Sequence, residues 1–200
     1  METIQTIADL EALYDDAVPG SLTKVVDRIT PHYKQWIEAS RFVVVSTAGA
    51  EGTDGSPRGD DGPVVSIADE TTLYLPDWRG NNRLDTLRNI VVDGRISLMF
   101  MVPGSNNVVR VNGTAKLTAD EALCASFDKK GRRPKTVVVI SVGEIYFPCA
   151  KALMRSALWA PESQGIPVPS AGQFVREIDH DFDAESYDRG YPEYAKPRMW

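Results

Sequence analysis

Cysteine and histidine are scarce in this chain. The 200 residues contain two cysteines, Cys124 and Cys149, which lie far apart and form no Cys-x-x-Cys pair. A disulfide framework is therefore not indicated, and we expect a reducing, cytoplasmic setting. The two histidines, His32 and His180, are isolated from each other and from the cysteines. This spacing is more typical of surface residues than of ligands, so we expect no metal site.

Positive charge and long apolar runs are also in short supply. Lysine and arginine total 22 against 28 acidic residues, which gives a net charge of −6. A chain of this sign lacks the field that drives nucleic-acid binding, so we expect no nucleic-acid partner. No segment approaches the ~20 apolar residues that span a bilayer. The N-terminal segment METIQTIADLEALYDD lacks the features of a signal peptide, so we expect neither export nor membrane insertion.

The order of apolar patterns predicts an α+β, mostly β fold. Helical stripes of apolar residues occur before residue 40, and β-branched segments bounded by turn residues follow. The predicted strands are 41–49, 63–68, 72–75, 95–102, 108–117 and 136–146. Because only residues 82–91 are predicted as a helix between strands, the alternation of a doubly wound sheet is missing. The pattern favours an antiparallel β-barrel with flanking helices.

The chain is expected to form a single domain over residues 1–200. Residues 1–40 are predicted to supply N-terminal packing helices, 41–160 the barrel, and 161–200 an acidic C-terminal extension. The extension holds eight acidic and four basic residues. We expect it to wrap over the surface or over a neighbouring subunit, with disorder as the alternative.

The segment PDWRGNNRLDTLRNI, residues 76–90, is typical of a polar loop that leads into a helix. Asn82 is predicted to be the N-cap, with Asp85 in the position of a capping box. A helix N-terminus presents free N–H groups, and Arg83 and Arg79 add positive charge, so the segment can bind an anion such as phosphate. The alternative is that the arginines are solvated helix-surface residues.

The tripeptide Arg58-Gly59-Asp60 has two interpretations. One is an adhesion signal, which requires export and an exposed loop. The other is an arginine directed at a ligand inside the fold, with Gly59 letting the backbone bend and Asp60 orienting the guanidinium. Because no signal peptide is recognised, we favour the second. Arg58 is then expected to stand beside the loop that precedes the helix at residue 82.

Together these segments resemble the pyridoxamine 5′-phosphate oxidase-like flavoproteins over residues 32–160. The motifs that carry the resemblance are FVVVST, DGSPRGD, PDWRGNNRLDTLRNI, RISLMFMVPG, VVRVNGTAKL and YFPCAKALMRSALW. The resemblance implies an antiparallel split β-barrel, a homodimer, and FMN as the cofactor, bound at the dimer interface.

The resemblance also implies which residues contact the cofactor. Ser56 and Arg58 match the strand position whose arginine contacts the FMN phosphate, and Asn82 and Arg83 match the loop and helix start that complete this site. Arginine suits both positions because its planar guanidinium pairs with phosphate oxygens. Arg110 matches a strand position near the cofactor, although it could equally be an outward-facing residue paired across the sheet.

The segment CAKALMRSALW is predicted to be a helix and is similar to the one that approaches the flavin from the partner subunit in relatives. Lys151 or Arg155 could place positive charge near the flavin ring or phosphate, and Trp159 could form an apolar wall. The alternatives are a surface salt bridge for Arg155 and core packing for Trp159.

The implied function is an FMN-dependent oxidoreductase that acts on an unidentified small molecule, with electrons from NAD(P)H or a reductase. No catalytic residue is assigned. The family's C-terminal substrate motif is absent from residues 173–200, so oxidation of pyridoxamine phosphate is not expected. Two alternatives stay open: a non-catalytic module that binds or senses FMN, and a split barrel that uses the deazaflavin F420.

Overall fold

The computed structural model describes residues 1–200 and contains seven β-strands and eight α-helices. The strands are β1 (Phe42–Gly49), β2 (Gly52–Gly59), β3 (Ser66–Asp69), β4 (Thr72–Pro76), β5 (Arg95–Met101), β6 (Val108–Thr118) and β7 (Val137–Tyr146). The helices are α1 (Ile7–Glu11), α2 (Pro19–Thr23), α3 (Pro31–Ala39), α4 (Asp85–Val92), α5 (Glu121–Ser126), α6 (Lys151–Ser156), α7 (Ala171–Ile178) and α8 (Ala184–Ala195). None of these helices has the length and apolarity that crossing a membrane requires.

The strands form one antiparallel sheet in the order β2-β1-β5-β6-β7-β4-β3. The sheet curves around a core but is not closed, and helices flank it. The predicted antiparallel fold is therefore confirmed. Apolar periodicity did not predict β2, because GTDGSPRG contains no large apolar side chain. As an edge strand it tolerates Pro57, whose missing N–H would interrupt a central strand.

The core lies on the concave face of the sheet. Alternate residues of the central strands are fully buried there, as period-2 patterning dictates. They include Val43, Val45, Leu98, Phe100, Val111, Ile140 and Ile145. Helix α3 closes the core with the fully buried Ile37, and α4 packs across β1 with Ile90. The position of α4 matters for function, because it lies beside the inner face of β2.

Only one of the N-terminal helices packs on the sheet, although residues 1–40 were expected to supply packing helices. Helix α3 buries Ile37 against the sheet, but α1 and α2 bury no residue. Their apolar side chains, such as Ile7 and Leu22, are exposed. An apolar stripe predicts a helix that needs a surface to pack on, and within this chain α1 and α2 have none. Val26 and Ile29, which were expected on a packing helix, instead pack against the core without forming a helix.

The C-terminal extension is helical rather than disordered. Ser170 and Gln173 form a reciprocal capping box at the start of α7. Asp188 of α8 accepts a hydrogen bond from the backbone N–H of Gly172 at 2.9 Å. A side chain at Gly172 would collide with the carbonyl oxygen of Ala184, so glycine allows the two helices to pack closely.

Candidate functional site

The inner face of β2 carries a row of polar side chains. Asp54, Ser56 and Arg58 alternate along this strand, and Arg58 pairs in register with the buried Val43. Residues opposite each other on neighbouring strands point to the same side of a sheet. The Arg58 side chain therefore lies on the concave side. Because β2 is the edge strand, this row stands at the open edge of the core, under α4.

Helix α4 begins at Asp85, three residues later than the predicted N-cap at Asn82. Asn82 has φ 60° and Leu84, which holds the cap position, has φ 64°, so neither has the extended backbone of a side-chain cap. Asn81 instead accepts a hydrogen bond from the backbone N–H of Arg83 at 3.0 Å. The predicted capping box is thus wrong. The two left-handed residues turn the chain sharply into the helix.

Thr86, in the first turn of α4, connects the helix to β2. Its buried hydroxyl donates to the Asp54 carboxylate and accepts a hydrogen bond from Arg58 Nη2 at 3.3 Å. Ser56 Oγ donates to the same Asp54 carboxylate at 3.0 Å and lies 3.1 Å from the Thr86 hydroxyl. Arg58 also donates to its neighbouring Pro57 carbonyl. This network fixes the guanidinium before any ligand is present.

Arg58 lines a cavity of about 230 Å³ together with Arg79 and Trp78. The remaining lining residues are Pro57, Gly59, Val64, Leu75, Pro76, Gly80 and Met199. Arg79 is exposed and forms no ion pair. The cavity thus joins two guanidinium groups with an indole ring and apolar walls, a combination that suits an anionic group attached to an apolar body.

The structure places Asn82 and Arg83 in the exposed loop that precedes α4. Arg83 is 80% exposed and its Nε lies 2.5 Å from the Asp85 carboxylate. It does not line the Arg58 cavity, in which Arg79 is the second arginine. Spacing along the sequence could not distinguish the two arginines, because the reversal of the chain at Asn82 and Leu84 decides which one faces Arg58.

Asp60 does not orient Arg58, contrary to the sequence interpretation. Its carboxylate, only 4% exposed, accepts a hydrogen bond from Trp78 Nε1 at 2.9 Å and forms an ion pair with Lys129. Lys129 also lies 2.5 Å from Asp61. Burial lowers the pKa of Lys129, but its hydrogen bonds to the two carboxylates outweigh burial and raise that pKa above its usual value. Asp60 therefore anchors the Trp78 wall of the cavity.

Asp77 lies at the end of β4 near Arg58. Burial raises the pKa of its carboxyl, and the charge of Arg58 opposes this effect. Because the folded state favours the protonated form, stability falls as pH rises from the ordinary value of an aspartate, near 4, through the raised pKa. The negative charge of Asp77 at neutral pH therefore lowers the free energy of unfolding.

We expect Asp77→Asn to stabilise the protein at pH 7 by about 1 kcal/mol, because it removes a partly buried charge. The gain should vanish at pH 3, where Asp77 is protonated. Thermal unfolding at the two pH values measures this, with the exposed Asp27→Asn as control. A gain of equal size at pH 3 would contradict the assignment.

Arg110 lies on the opposite face of the sheet from Arg58. The register aligns Val44, Met99, Arg110 and Tyr146 across β1, β5, β6 and β7, one residue out of phase with the row that contains Arg58. The Arg110 guanidinium lies 5.5 Å from the centroid of the Tyr146 ring. Within one chain, the structure therefore does not bring Arg110 and Arg58 together.

The predicted helix at 149–159 is shorter in the structure, where α6 ends at Ser156 and Ala157 is left-handed. Lys151 and Arg155 are exposed and form no ion pair or hydrogen bond within the chain. Trp159 is half-buried and its Nε1 donates to the Ser105 carbonyl at 2.7 Å. This bond ties the segment after α6 to the turn between β5 and β6.

Several residues of the site were not identified from the sequence. Thr86 carried the clearest signal, because it lies four residues before the buried Ile90 on the face of α4 that packs on the sheet. A polar residue in such a stripe requires a partner. Asp54, Trp78 and Lys129 carried no comparable signal, since their contacts join segments that are distant in sequence.

Comparison with known proteins identifies the family of this architecture. The family model of pyridoxamine 5′-phosphate oxidase matches residues 29–149. The crystal structure of HupZ from Group A Streptococcus is 23% identical, with a TM-score of 0.50 over 60% of this chain and 93% of that one. A histidine-to-alanine variant of HupZ gives a TM-score of 0.51 at 23% identity, over 60% of this chain and 99% of the other. At this identity the similarity shows a shared fold.

A third structure, a candidate pyridoxamine 5′-phosphate oxidase from Lactobacillus delbrueckii, is 18% identical, with a TM-score of 0.49 over 60% of this chain and 95% of that one. No curated protein sequence matches the chain. The structure contains no group of three histidine, cysteine or acidic side chains that could hold a metal ion.

Proposed function

This chain belongs to the pyridoxamine 5′-phosphate oxidase family, and from this membership we propose that it binds FMN and acts as an FMN-dependent oxidoreductase on a small molecule. The observation that carries the proposal is the Arg58 cavity, in which a preorganised guanidinium faces a second arginine beside an indole ring. Its position, between β2 and the loop that leads to α4, agrees with the phosphate site that the sequence resemblance implies.

The residues present fit the phosphate end of FMN. Arg58 keeps Nε free of intramolecular hydrogen bonds, and Arg79 keeps its whole guanidinium free. Ser56 and Thr86 do not line the cavity; they lie behind Arg58, where the Thr86 hydroxyl accepts a hydrogen bond from Arg58 Nη2 and contacts Ser56 Oγ. Two guanidinium groups can balance the roughly two negative charges of a phosphate monoester, and charge-assisted hydrogen bonds of this kind are stronger than neutral ones. We further propose that Asn82 and Arg83, which lie in the adjoining exposed loop and do not line the cavity, contact the phosphate from outside it.

We further propose that the functional unit is a homodimer. The convex face of the central strands presents a half-buried row of Val44, Met99, Arg110 and Tyr146, next to Phe42, which is 38% exposed. An apolar row of this kind is suited to burial against a symmetric copy. Because Arg110 faces this side, it would reach a cofactor bound between subunits rather than the Arg58 cavity of its own chain.

In this dimer, the exposed Lys151 and Arg155 of α6, with Trp159 after it, are available to the partner subunit's cofactor. Their charges and the indole would lie near the flavin ring or phosphate, as the resemblance implies. The bond from Trp159 to Ser105 would hold this segment in place. The three side chains therefore belong to the proposed site even though they do not contact the Arg58 cavity of their own chain.

FMN, when bound, supplies the two-electron redox chemistry, and the protein binds it, orients it and sets the charge around it. NAD(P)H or a reductase is the proposed electron donor. Oxidation of pyridoxamine phosphate is not part of the proposal. Residues 173–200, where the family's substrate motif would be expected, include most of α7, all of α8 and a short 3-10 turn at Lys196–Arg198.

Titration with three ligands tests the cofactor assignment. We expect the fluorescence of FMN to decrease when FMN binds to the protein. FMN should bind at least about 100-fold more tightly than riboflavin, which lacks the phosphate. Equal affinities for FMN and riboflavin would show that the protein has no phosphate-binding site for the flavin. Tighter binding of F420 than of FMN would identify the protein as a deazaflavin-binding split barrel. FMN binding without reduction by NAD(P)H or a reductase would favour the non-catalytic module.

A further inference from the structure

Residues 196–200 lie beside the Arg58 cavity, although the other residues that line this cavity come from positions 57–80. Met199 lines the cavity together with Arg58 and Trp78. Met199 is 53% exposed, so it lies at the mouth of the cavity rather than in the core. The cavity is therefore lined both by residues of β2 and β4 and by a residue of the C-terminal extension.

Lys129 holds this end in place. Its ammonium group lies 5.3 Å from the centroid of the Trp200 ring and 5.7 Å from that of the Trp78 ring. The same group is paired with Asp60, which in turn binds the Trp78 indole N–H. One buried carboxylate thus organises a cation that contacts both the fixed wall of the cavity and Trp200. Arg132 adds a second contact, donating to the Trp200 carbonyl at 3.3 Å.

The contacts on the two sides of Lys129 differ in strength. The contact between Lys129 and Asp60 is a charge-assisted hydrogen bond to a nearly inaccessible carboxylate, which is costly to break. The contact between Lys129 and Trp200 is a cation–π interaction at a half-exposed site, which is much weaker. If the assembly opens, it therefore opens at Trp200, while Lys129 and Trp78 stay in place.

We propose that residues 196–200 form a strap that closes the Arg58 cavity, with Met199 as its wall and the contact between Trp200 and Lys129 as its latch. The strap controls the rate at which a bound phosphate-bearing ligand leaves. Met199 and Trp78 enclose the part of the ligand next to the phosphate, and Arg58 and Arg79 hold the phosphate itself. The identity of the ligand as FMN rests on the proposed function, whereas the docking of the strap does not.

The base of the strap is anchored to α8. Arg198 Nη1 donates to the Tyr194 carbonyl at 2.7 Å, and its guanidinium lies 3.9 Å from the centroid of the Tyr194 ring. Opening of the strap therefore requires release of both the latch at Trp200 and this anchor. The bond between Arg198 and Met199 lies between the anchor and the latch, and trypsin cleaves after an arginine only when the arginine side chain enters the trypsin pocket. The rate of cleavage at this bond therefore reports, without any ligand, how often the whole strap opens, and loss of the latch should raise that frequency.

Three variants of the full chain separate the parts of the strap. Trp200→Ala removes the latch, Met199→Ala removes the wall and leaves the latch, and Ile178→Ala, at an exposed apolar position of α7, is the control. We expect Trp200→Ala to speed cleavage between Arg198 and Met199 by about fivefold, as judged by intact mass after brief trypsin treatment. FMN dissociation, followed by the return of flavin fluorescence, should accelerate by a similar factor in Trp200→Ala and in Met199→Ala. Ile178→Ala should change neither rate.

Unchanged cleavage and unchanged FMN dissociation in Trp200→Ala would overturn the strap. Unchanged FMN dissociation in a protein that binds FMN would overturn the strap while leaving the proposed cofactor intact. If the wild-type protein takes up no FMN, the flavin proposal fails and the cleavage rate alone tests the strap: faster cleavage in Trp200→Ala supports it, and an unchanged rate overturns it.

Discussion

Replacing Arg58 with alanine is expected to weaken FMN binding by about 100-fold. The guanidinium is fixed on the concave side of β2 by its bond to Thr86, and we assign to it two charge-assisted hydrogen bonds with the phosphate. Bonds of this kind contribute about 1.5–3 kcal/mol each, so the loss of both at the lower limit, about 3 kcal/mol, corresponds to a change of this order. The affinity for riboflavin should change little, because riboflavin has no phosphate. Fluorescence titration of both ligands measures the difference.

Two further variants control this result. Arg88→Ala removes an exposed arginine from α4 that does not line the cavity, and it should leave FMN affinity within about twofold of wild type. Arg58→Lys keeps the positive charge but loses the planar pair of donors, so its loss should be intermediate, about tenfold. An equal loss of affinity for FMN and riboflavin in Arg58→Ala would show that Arg58 supports the fold of the site rather than the phosphate.

Gly113→Ala is expected to destabilise the protein by about 3 kcal/mol. Gly113 follows the β-bulge between β6 and β7, and a methyl group there would overlap the carbonyl oxygen of Ser141. That oxygen belongs to a backbone paired on both sides, in the centre of the sheet, so it cannot move aside cheaply. For a chain of this size, the loss corresponds to a decrease in Tm of roughly 6–12 °C.

Gly55→Ala is the matched control for Gly113→Ala. Gly55 also lies in a strand, but β2 is at the edge of the sheet and nothing stands within 4 Å of a methyl group there. Its Tm should change by no more than about 2 °C. If Gly113→Ala unfolds at the same temperature as Gly55→Ala, the close approach of β6 and β7 at the bulge is not a feature of the native protein.

The sequence predicted the elements that carry a periodic apolar signal. The alternating residues of β1, β5, β6 and β7 indicated the strands, and the sparse helices between them indicated an antiparallel sheet. The strand β2 was missed because its inner face is polar, with Asp54, Ser56 and Arg58 bonded to one another and to α4 rather than packed in the core. The strand that carries the candidate site is therefore the one that periodicity could not reveal.

The composition of the candidate site was only partly predictable for a related reason. Arg58 could be proposed from its chemistry and its place after the first strand, but its partner Thr86 lies 28 residues away, across a tertiary contact. The Lys129 contacts with Asp60 and Trp200 join segments separated by about 70 residues. No local pattern encodes such contacts. The left-handed backbone at Leu84, which directs the chain into α4, is equally unexpected for a leucine.

The proposal that this chain binds FMN is tested by the visible absorption spectrum of the purified protein, together with the mass of the chromophore released on denaturation. We expect a flavin spectrum and the mass of FMN, and we expect Arg58→Ala to be purified with little or no flavin. A colourless wild-type protein that also fails to take up added FMN would rule out the proposal.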